Sequence, residues 1–163
     1  MGSSETEHEP RSGQLGRALA SLNVHLLTGG GSGAMLACSR GFCSIERRRG
    51  LSIGVLPKLS RQRRAYPNPF VEIPIITHLP FSGTRGTDPL SRNHINVLSA
   101  RVVIALPGGP GTLSEVVLAL GYGTPVIAHI SSEAELARLP PGVPRSDDLD
   151  EVLDFVRAEL DEP

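Results

Sequence analysis

Short apolar runs rich in β-branched residues recur along the chain and alternate with stretches of helical spacing. Because most of these runs are apolar at nearly every position, they predict strands that are covered on both faces. The alternation predicts an α/β fold, a mostly parallel, doubly wound sheet with helices on both faces. The predicted strands are Val24–Thr28, Leu51–Pro57, Ile73–Thr77, Val102–Pro107 and Pro125–Ile130.

Two of the intervening segments have clear amphipathic spacing. Leu15, Leu19 and Leu22 recur at helical intervals, and a second apolar stripe runs from Leu149 to Leu160 with acidic residues on its other face. Asp147 or Asp148 is the expected cap of this last helix. Residues 58–70 and 78–91 are predicted loops. The Arg-rich stretch 61–64 in the first loop has two open interpretations, a solvated surface or a site that attracts a phosphorylated ligand or a partner.

Length and charge limit the classes of function. A chain of 163 residues predicts a single domain over 1–163. The net charge of −1 gives no overall attraction to nucleic acid, and no apolar run is long enough for a membrane span. Cys38 and Cys43 are too few and too isolated for a zinc finger or a disulfide scaffold, which favours reduced thiols and a cytoplasmic location.

The segment VVIALPGGPGTLSEVVLAL, residues 102–120, carries the strongest chemical signal. A buried strand leads into a turn formed by Gly108, Gly109 and Gly111, and a helix bearing Thr112 and Glu115 follows. Glycines let a ligand approach the backbone, and the free N–H groups of a helix start suit a phosphate. A plain structural turn with Glu115 as an ordinary first-turn acid is the alternative. The segment matches neither a P-loop nor the GxGxxG pattern.

A second glycine turn, TGGGSGAM at residues 28–35, also lies between a predicted strand and a predicted helix. The carboxyl ends of parallel strands lie at one edge of a sheet, where α/β proteins bind their ligands. We therefore expect the two turns to face a single crevice. By itself, the run Gly29–Gly33 is equally consistent with a structural turn.

PGGPGTLSE resembles the PGGxGTxxE motif of the Lonely Guy family, Rossmann-like phosphoribohydrolases once taken for lysine decarboxylases, and TGGGSGAM resembles that family's first glycine loop. The resemblance covers most of residues 1–130. It implies that Arg92 and Glu115, 23 residues apart, act on the N-glycosidic bond of a nucleoside 5′-monophosphate. It implies no metal and no required cofactor. The residues expected to bind the phosphorylated ligand are Gly29, Gly30, Gly31, Ser32, Gly33, Met35, Asn93, Gly108, Gly109, Gly111 and Thr112.

The sequence departs from the enzymes at one position, because their usual Arg-Lys pair is Arg92-Asn93 here. SRNHINVLSA, residues 91–100, is more similar to the molybdenum-cofactor carrier branch, whose members bind a pterin phosphate without turning it over. Two functions therefore stay open, a phosphoribohydrolase and a non-catalytic carrier of the molybdenum cofactor. For Arg92 and Glu115 the structural alternative is a salt bridge between two helices. A role on nucleic acid is disfavoured by the near-neutral charge.

The resemblance also implies a homodimer or higher homo-oligomer, with the helices from Val97 to Leu120 packed across a two-fold axis. It further implies a first strand that leads into a Gly-Ser loop. Met1-Gly2-Ser3-Ser4 lines up with that loop and the strand itself is missing from the sequence. We expect an upstream natural start or a truncated chain, with cloning residues at Gly2–Ser4 as the alternative.

Overall fold

A computed structural model describes Gly2 and residues 9–58 and 66–161. The predicted loop stretch 61–64 and most of the first eight residues lie outside this part of the chain. Helices and strands alternate in it, as the sequence predicts. The helices are α1 (Glu9–Ala20), α2 (Ala34–Cys43), α3 (Asn93–Leu98), α4 (Pro110–Tyr122), α5 (Glu133–Leu136) and α6 (Leu149–Asp161). The strands are β1 (Leu26–Thr28), β2 (Ser52–Leu56), β3 (Ile73–Ile76), β4 (Val103–Ala105), β5 (Val126–His129) and β6 (Arg145–Ser146).

All six strands pair in parallel, in two groups of three with the orders β1-β2-β3 and β4-β5-β6. Each of the five predicted strands is present and lies inside its predicted range, and only the two-residue β6 was missed. The predicted Rossmann-like α/β fold is confirmed. Within the described residues no strand pairs β1 with β4, so the two groups share no hydrogen-bond ladder.

Helices cover the two faces of the strands and create two apolar clusters. On one face, α1, α2 and α6 pack around a cluster that includes Leu15, Phe42, Ile104 and Val156. On the other face, α3 and α4 enclose a cluster with Val97 and its neighbours on β4 and β5. The glycine turn after β1 leads into α2 on the first face, and the turn after β4 leads into α4 on the second face.

Two local expectations were wrong. The strand β3 is exposed along its whole length, because no described helix covers it, although its apolar sequence predicted cover on both faces. Gly111 lies inside α4, which begins at Pro110, so it is not part of the turn. The expected cap of α6 is Asp148, whose Oδ1 accepts from the Asp150 N–H.

None of the helices in residues 9–58 and 66–161 is long and apolar enough to cross a membrane.

Candidate functional site

The turn after β4 ends in a helix start whose donors are uncapped. Gly109 is the N-cap of α4, it supplies no side chain, and Pro110 follows it. The backbone N–H groups of Gly111 and Thr112 have no partner within the helix, since the first turn lacks preceding carbonyls. A methyl group placed on Gly109 meets nothing within 4 Å, so the space in front of this turn is open. This part of the site can accept an anion.

Thr112 adds a side-chain donor at the same helix start. It is buried, 4% exposed, and its Oγ1 has no hydrogen-bond partner in the described residues. Leaving a buried hydroxyl unpaired costs about 1–3 kcal/mol. Because Thr112 and Glu115 are three residues apart on α4, their side chains lie on the same side of the helix. The hydroxyl and the carboxylate therefore belong to one local surface.

The turn after β1 is buried at Gly29, Gly30 and Gly31 and exposed at Ser32. Gly30 and Gly33 have φ values of 69° and 59°, in the left-handed region that favours glycine. Met35 of α2 packs against the turn, and a Cβ on Gly31 would lie only 2.6 Å from its methyl carbon. The predicted members of this loop are thus brought together by its backbone geometry.

A neighbouring loop fixes this glycine turn in place. The Tyr66 hydroxyl donates to the Gly29 carbonyl, and the Asn68 side-chain amide donates to the Gly31 carbonyl at 3.0 Å. The Asn68 backbone N–H bonds to the Gly30 carbonyl at 2.8 Å. The sequence analysis predicted a loop over residues 58–70 but did not single out Tyr66 and Asn68 as supports of the turn. Their contacts join residues 37 positions apart, so spacing along the chain could not reveal them.

Arg92 connects the two halves of the site. It precedes α3 and is 7% exposed, and its guanidinium lies so close to Gly29 that a Cβ there would come within 2.2 Å of Nη2. Its Nη1 lies 3.4 Å from Oε1 of Glu115. That distance exceeds the ~2.7–2.9 Å of a good charge-assisted hydrogen bond. The Nε atom is buried with no partner among the described groups.

Glu115 is held from α3 by a second residue that the sequence analysis did not single out. The Asn96 side-chain amide donates to Glu115 Oε1 at 3.2 Å, the same oxygen that Arg92 contacts. Arg92 and Asn96 are four residues apart at the start of α3, which is the spacing that places two side chains on one helix face. That spacing was the available signal.

Asn93 faces α4 from a fully buried position, and its side-chain amide donates to Ser114 Oγ at 3.0 Å. Ser114 Oγ in turn donates to the Gly111 carbonyl at 2.8 Å. These two bonds attach α3 to the first turn of α4, next to the open turn at Gly109. The Oδ1 atom of Asn93 has no partner in the described part of the chain.

Other candidate residues do not join this cluster. Asp88 pairs with Arg85 at 2.6 Å and accepts from the Leu90 N–H. His94 lies between the Tyr122 hydroxyl and the Asp88 carbonyl. No group of three His, Cys, Asp or Glu side chains arranged for a metal occurs in the residues that the structure describes.

Burial also shifts the pKa of two titratable side chains outside the cluster. It raises the pKa of the Cys38 thiol to about 11, so this cysteine is a neutral core residue. It also lowers the pKa of His129, whose Nδ1 bonds to the Ser146 carbonyl. Burial therefore favours the neutral form of both side chains.

Paired glycine turns at the carboxyl ends of parallel strands, joined by a buried arginine, define a Rossmann-like protein of the Lonely Guy type. The chain belongs to the SLOG cluster4 family, whose model matches residues 1–141.

Solved structures with the same fold include two molybdenum cofactor proteins. A molybdenum cofactor binding protein from Rippkaea orientalis is 32% identical with a TM-score of 0.74, and the match covers 98% of this chain and 93% of that one. The molybdenum cofactor carrier protein of Chlamydomonas reinhardtii is 28% identical, also at 0.74, over 99% of this chain and 95% of the other. The protein TM1055 shares the fold at 20% identity and a TM-score of 0.70, over 93% and 88% of the two chains. No protein of curated function matches the sequence.

Proposed function

We propose that the chain binds the molybdenum cofactor, or a closely similar pterin phosphate, between its two glycine turns and does not cleave it. The observation that carries the proposal is a pair of buried polar atoms, Arg92 Nε and Thr112 Oγ1, that have no hydrogen-bond partner among the described residues and lie beside an uncapped helix start. Such atoms are costly unless a ligand completes their hydrogen bonds. The two molybdenum-cofactor proteins with the same fold support the choice of ligand.

Each part of the site has an expected task. The helix start at Gly109 carries roughly half a positive charge, and its free N–H groups attract the phosphate. Thr112 donates its hydroxyl, and Arg92 donates Nε and approaches the phosphate across Gly29. Gly108, Gly109 and the first glycine turn leave room for backbone contacts that a Cβ would block. The molybdenum and the pterin belong to the ligand, so the chain needs only to bind and enclose them.

Thr112→Val tests the proposal because it removes one hydroxyl and keeps the shape of the side chain. We expect roughly a 10- to 100-fold loss of affinity, since one hydrogen bond to a charged group is worth about 1.5–3 kcal/mol. Bound molybdenum and pterin fluorescence are measured after the protein is incubated with the cofactor and passed through gel filtration. The control is Thr87→Val at an exposed loop position. Equal retention by Thr112→Val and the parent protein would refute the assignment of this site.

A second candidate is a nucleoside 5′-monophosphate phosphoribohydrolase, and the contact between Arg92 and Glu115 favours it. In that reaction a carboxylate near the ribose stabilises an oxocarbenium-like transition state or activates water. Incubation with AMP and cytokinin ribotides tests it by the release of free base. Glu115→Gln separates the candidates. If Glu115 is catalytic, this substitution should abolish the release of base. If the protein is a carrier, it should still retain its ligand, because the substitution only removes the carboxylate that competes for Arg92.

A homodimer is the proposed assembly, and the surface of α3 and α4 supports it. Leu113, Val117 and Leu120 form a stripe along α4 and are 39%, 42% and 45% exposed. Leu98 on α3 is 61% exposed, while Val97 points into the core. A contiguous apolar patch of this kind is typical of a protein–protein interface. The single domain over 1–163 and the cytoplasmic location stay predictions.

A further inference from the structure

Asn96 is a buried polar residue to which the proposed function gives no task. It lies on α3, it is fully buried, and its side-chain amide donates to Glu115 Oε1 at 3.2 Å. The Oδ1 atom of the same side chain is buried and has no partner among the described groups. A buried acceptor without a partner lowers stability. A leucine of similar size avoids this cost, so stability alone does not account for an asparagine at this position.

The oxygen that Asn96 contacts also has a cation beside it. Arg92 Nη1 lies 3.4 Å from Glu115 Oε1. Arg92 and Glu115 are each 7% exposed, so the solvent screens their attraction only weakly. A guanidinium and a carboxylate that are free to approach each other settle at about 2.7–2.9 Å. The pair is therefore held further apart than its charges favour.

Two hydrogen bonds between α3 and α4 account for this separation. The Asn93 amide donates to Ser114 Oγ at 3.0 Å and attaches α3 to the first turn of α4. Only the side chain of Glu115 is then free to move towards Arg92. The bond from Asn96 to Oε1, at 3.2 Å, is already at the long end of the range for N–H···O bonds. Because Oε1 cannot withdraw further without losing this bond, Asn96 limits how closely the carboxylate approaches the guanidinium.

We propose that Asn96 is a positioning residue that keeps the Glu115 carboxylate from closing on Arg92 and so leaves the guanidinium available to the ligand. The inference rests on the proposed function, in which an anionic ligand competes with Glu115 for Arg92. Asn96 itself does not touch the ligand and acts through Glu115. Its loss tightens the ion pair, so that an arriving phosphate has to displace a stronger partner.

Asn96→Leu tests the proposal first on the protein without ligand. The substitution removes the amide donor and the unpaired Oδ1 together and keeps a side chain of similar size. Hydrogen exchange of the Arg92 guanidinium, followed by ¹⁵N NMR, reports how tightly Glu115 holds it. We expect this exchange to slow at least about threefold. The midpoint of urea denaturation should equal or exceed that of the parent protein, because no buried acceptor is left unpaired at position 96.

The second readout is affinity, measured by titration calorimetry with the molybdenum cofactor and with inorganic phosphate. Asn96→Leu should weaken the Kd for both by roughly three- to tenfold, which corresponds to about one hydrogen bond. In a Glu115→Gln background the same substitution should leave affinity unchanged, because no carboxylate remains to close on Arg92. Ser99→Ala, at an exposed position at the carboxyl end of α3, is the matched control and should change neither exchange nor affinity.

Three results would overturn the proposal. Unchanged or faster exchange of the Arg92 guanidinium in Asn96→Leu would show that Asn96 does not restrain the ion pair. A loss of affinity that persists in the Glu115→Gln background would make Asn96 a direct contact of the ligand. A lower urea midpoint with unchanged affinity would make its role structural. If the parent protein binds neither the cofactor nor phosphate, the proposed function fails, and the exchange measurement then decides the role of Asn96 by itself.

Discussion

Gly29→Ala is the substitution that tests whether Arg92 serves the ligand. A Cβ at position 29 would lie 2.2 Å from Arg92 Nη2 and 2.8 Å from both Cζ and Nη1. The guanidinium must retreat by at least 1.2 Å to reach the 3.4 Å at which ordinary contact begins. Gly29 does not have a positive φ, so alanine fits the backbone and the effect falls on Arg92 alone.

The expected cost divides between binding and stability. Moving the guanidinium away from the turn removes a charge-assisted bond to the phosphate, worth about 1.5–3 kcal/mol, which corresponds to roughly a 10- to 100-fold weaker Kd. The added methyl group overpacks a buried site, which typically costs about 1–3 kcal/mol of unfolding free energy. The protein should therefore stay folded and lose affinity for the molybdenum cofactor.

Titration calorimetry with the cofactor measures the affinity, and urea denaturation measures the stability. In an Arg92→Ala background, Gly29→Ala should have no further effect on affinity, because no guanidinium remains to be displaced. Gly121→Ala is the matched control, since a Cβ there meets nothing within 4 Å. Unchanged affinity in Gly29→Ala, or an undiminished effect in the Arg92→Ala background, would refute the role of Arg92.

Three further predictions concern the core, an ion-paired carboxylate and the assembly. Phe42→Ala removes a fully buried ring and should cost about 3–5 kcal/mol in urea denaturation. The hydrogen bond that Glu72 accepts from the Ser52 N–H lowers the pKa of the Glu72 carboxyl group, and the Arg48 guanidinium lowers it further. The stability that Glu72 contributes is therefore present above its ordinary pKa of 4.5 and is lost as the pH falls through the lower folded value. Glu72→Gln should then destabilise the protein by at most about 1 kcal/mol at pH 7 and by less at pH 3, measured by urea denaturation at both values. Val117→Glu places a charge on the exposed stripe of α4 and should give monomers by light scattering after gel filtration.

The outcomes that contradict these predictions are specific. Leu90→Ala, at an exposed loop position, should change stability by less than about 0.5 kcal/mol, and a loss equal to that of Phe42→Ala would mean that the assigned core is wrong. A destabilisation by Glu72→Gln that is larger at pH 3 than at pH 7 has the wrong sign for a lowered pKa. A Val117→Glu protein with the same mass in solution as the parent excludes this surface as the dimer contact.

The sequence predicted strands and helices well because their signals are local. A buried strand needs four or five apolar residues in a row, and an amphipathic helix needs apolar residues at its own period. Both signals are complete within one segment, which is why all five predicted strands are present. The start of α4 was misplaced although Pro110 after Gly109 carries the usual signal of a first helical residue.

Contacts between distant segments could not be predicted from local sequence patterns. Tyr66 and Asn68 support the first glycine turn from a loop 37 residues away, and no local period encodes that pairing. The exposure of β3 could not be predicted for the same reason. An apolar run indicates that its side chains favour burial, but it does not indicate which helix will cover them. Arg92 and Glu115 were located by the motif, whereas their contact with Asn96 depends on how α3 and α4 pack.

The loose contact between Arg92 and Glu115 gives the site a physical basis for holding and releasing a ligand. A buried guanidinium with no anion nearby is strongly unfavourable, so an empty site needs a carboxylate within reach. At 3.4 Å the contact meets this need without the tight geometry that would retain Arg92 permanently. Under the proposed function, an arriving phosphate would compete with Glu115 for the same cation, and departure of the ligand would return Arg92 to the carboxylate. Because Asn96 also bonds Glu115 Oε1, the carboxylate stays in position while its cation is shared. This exchange of partners suits reversible carriage of an anionic ligand.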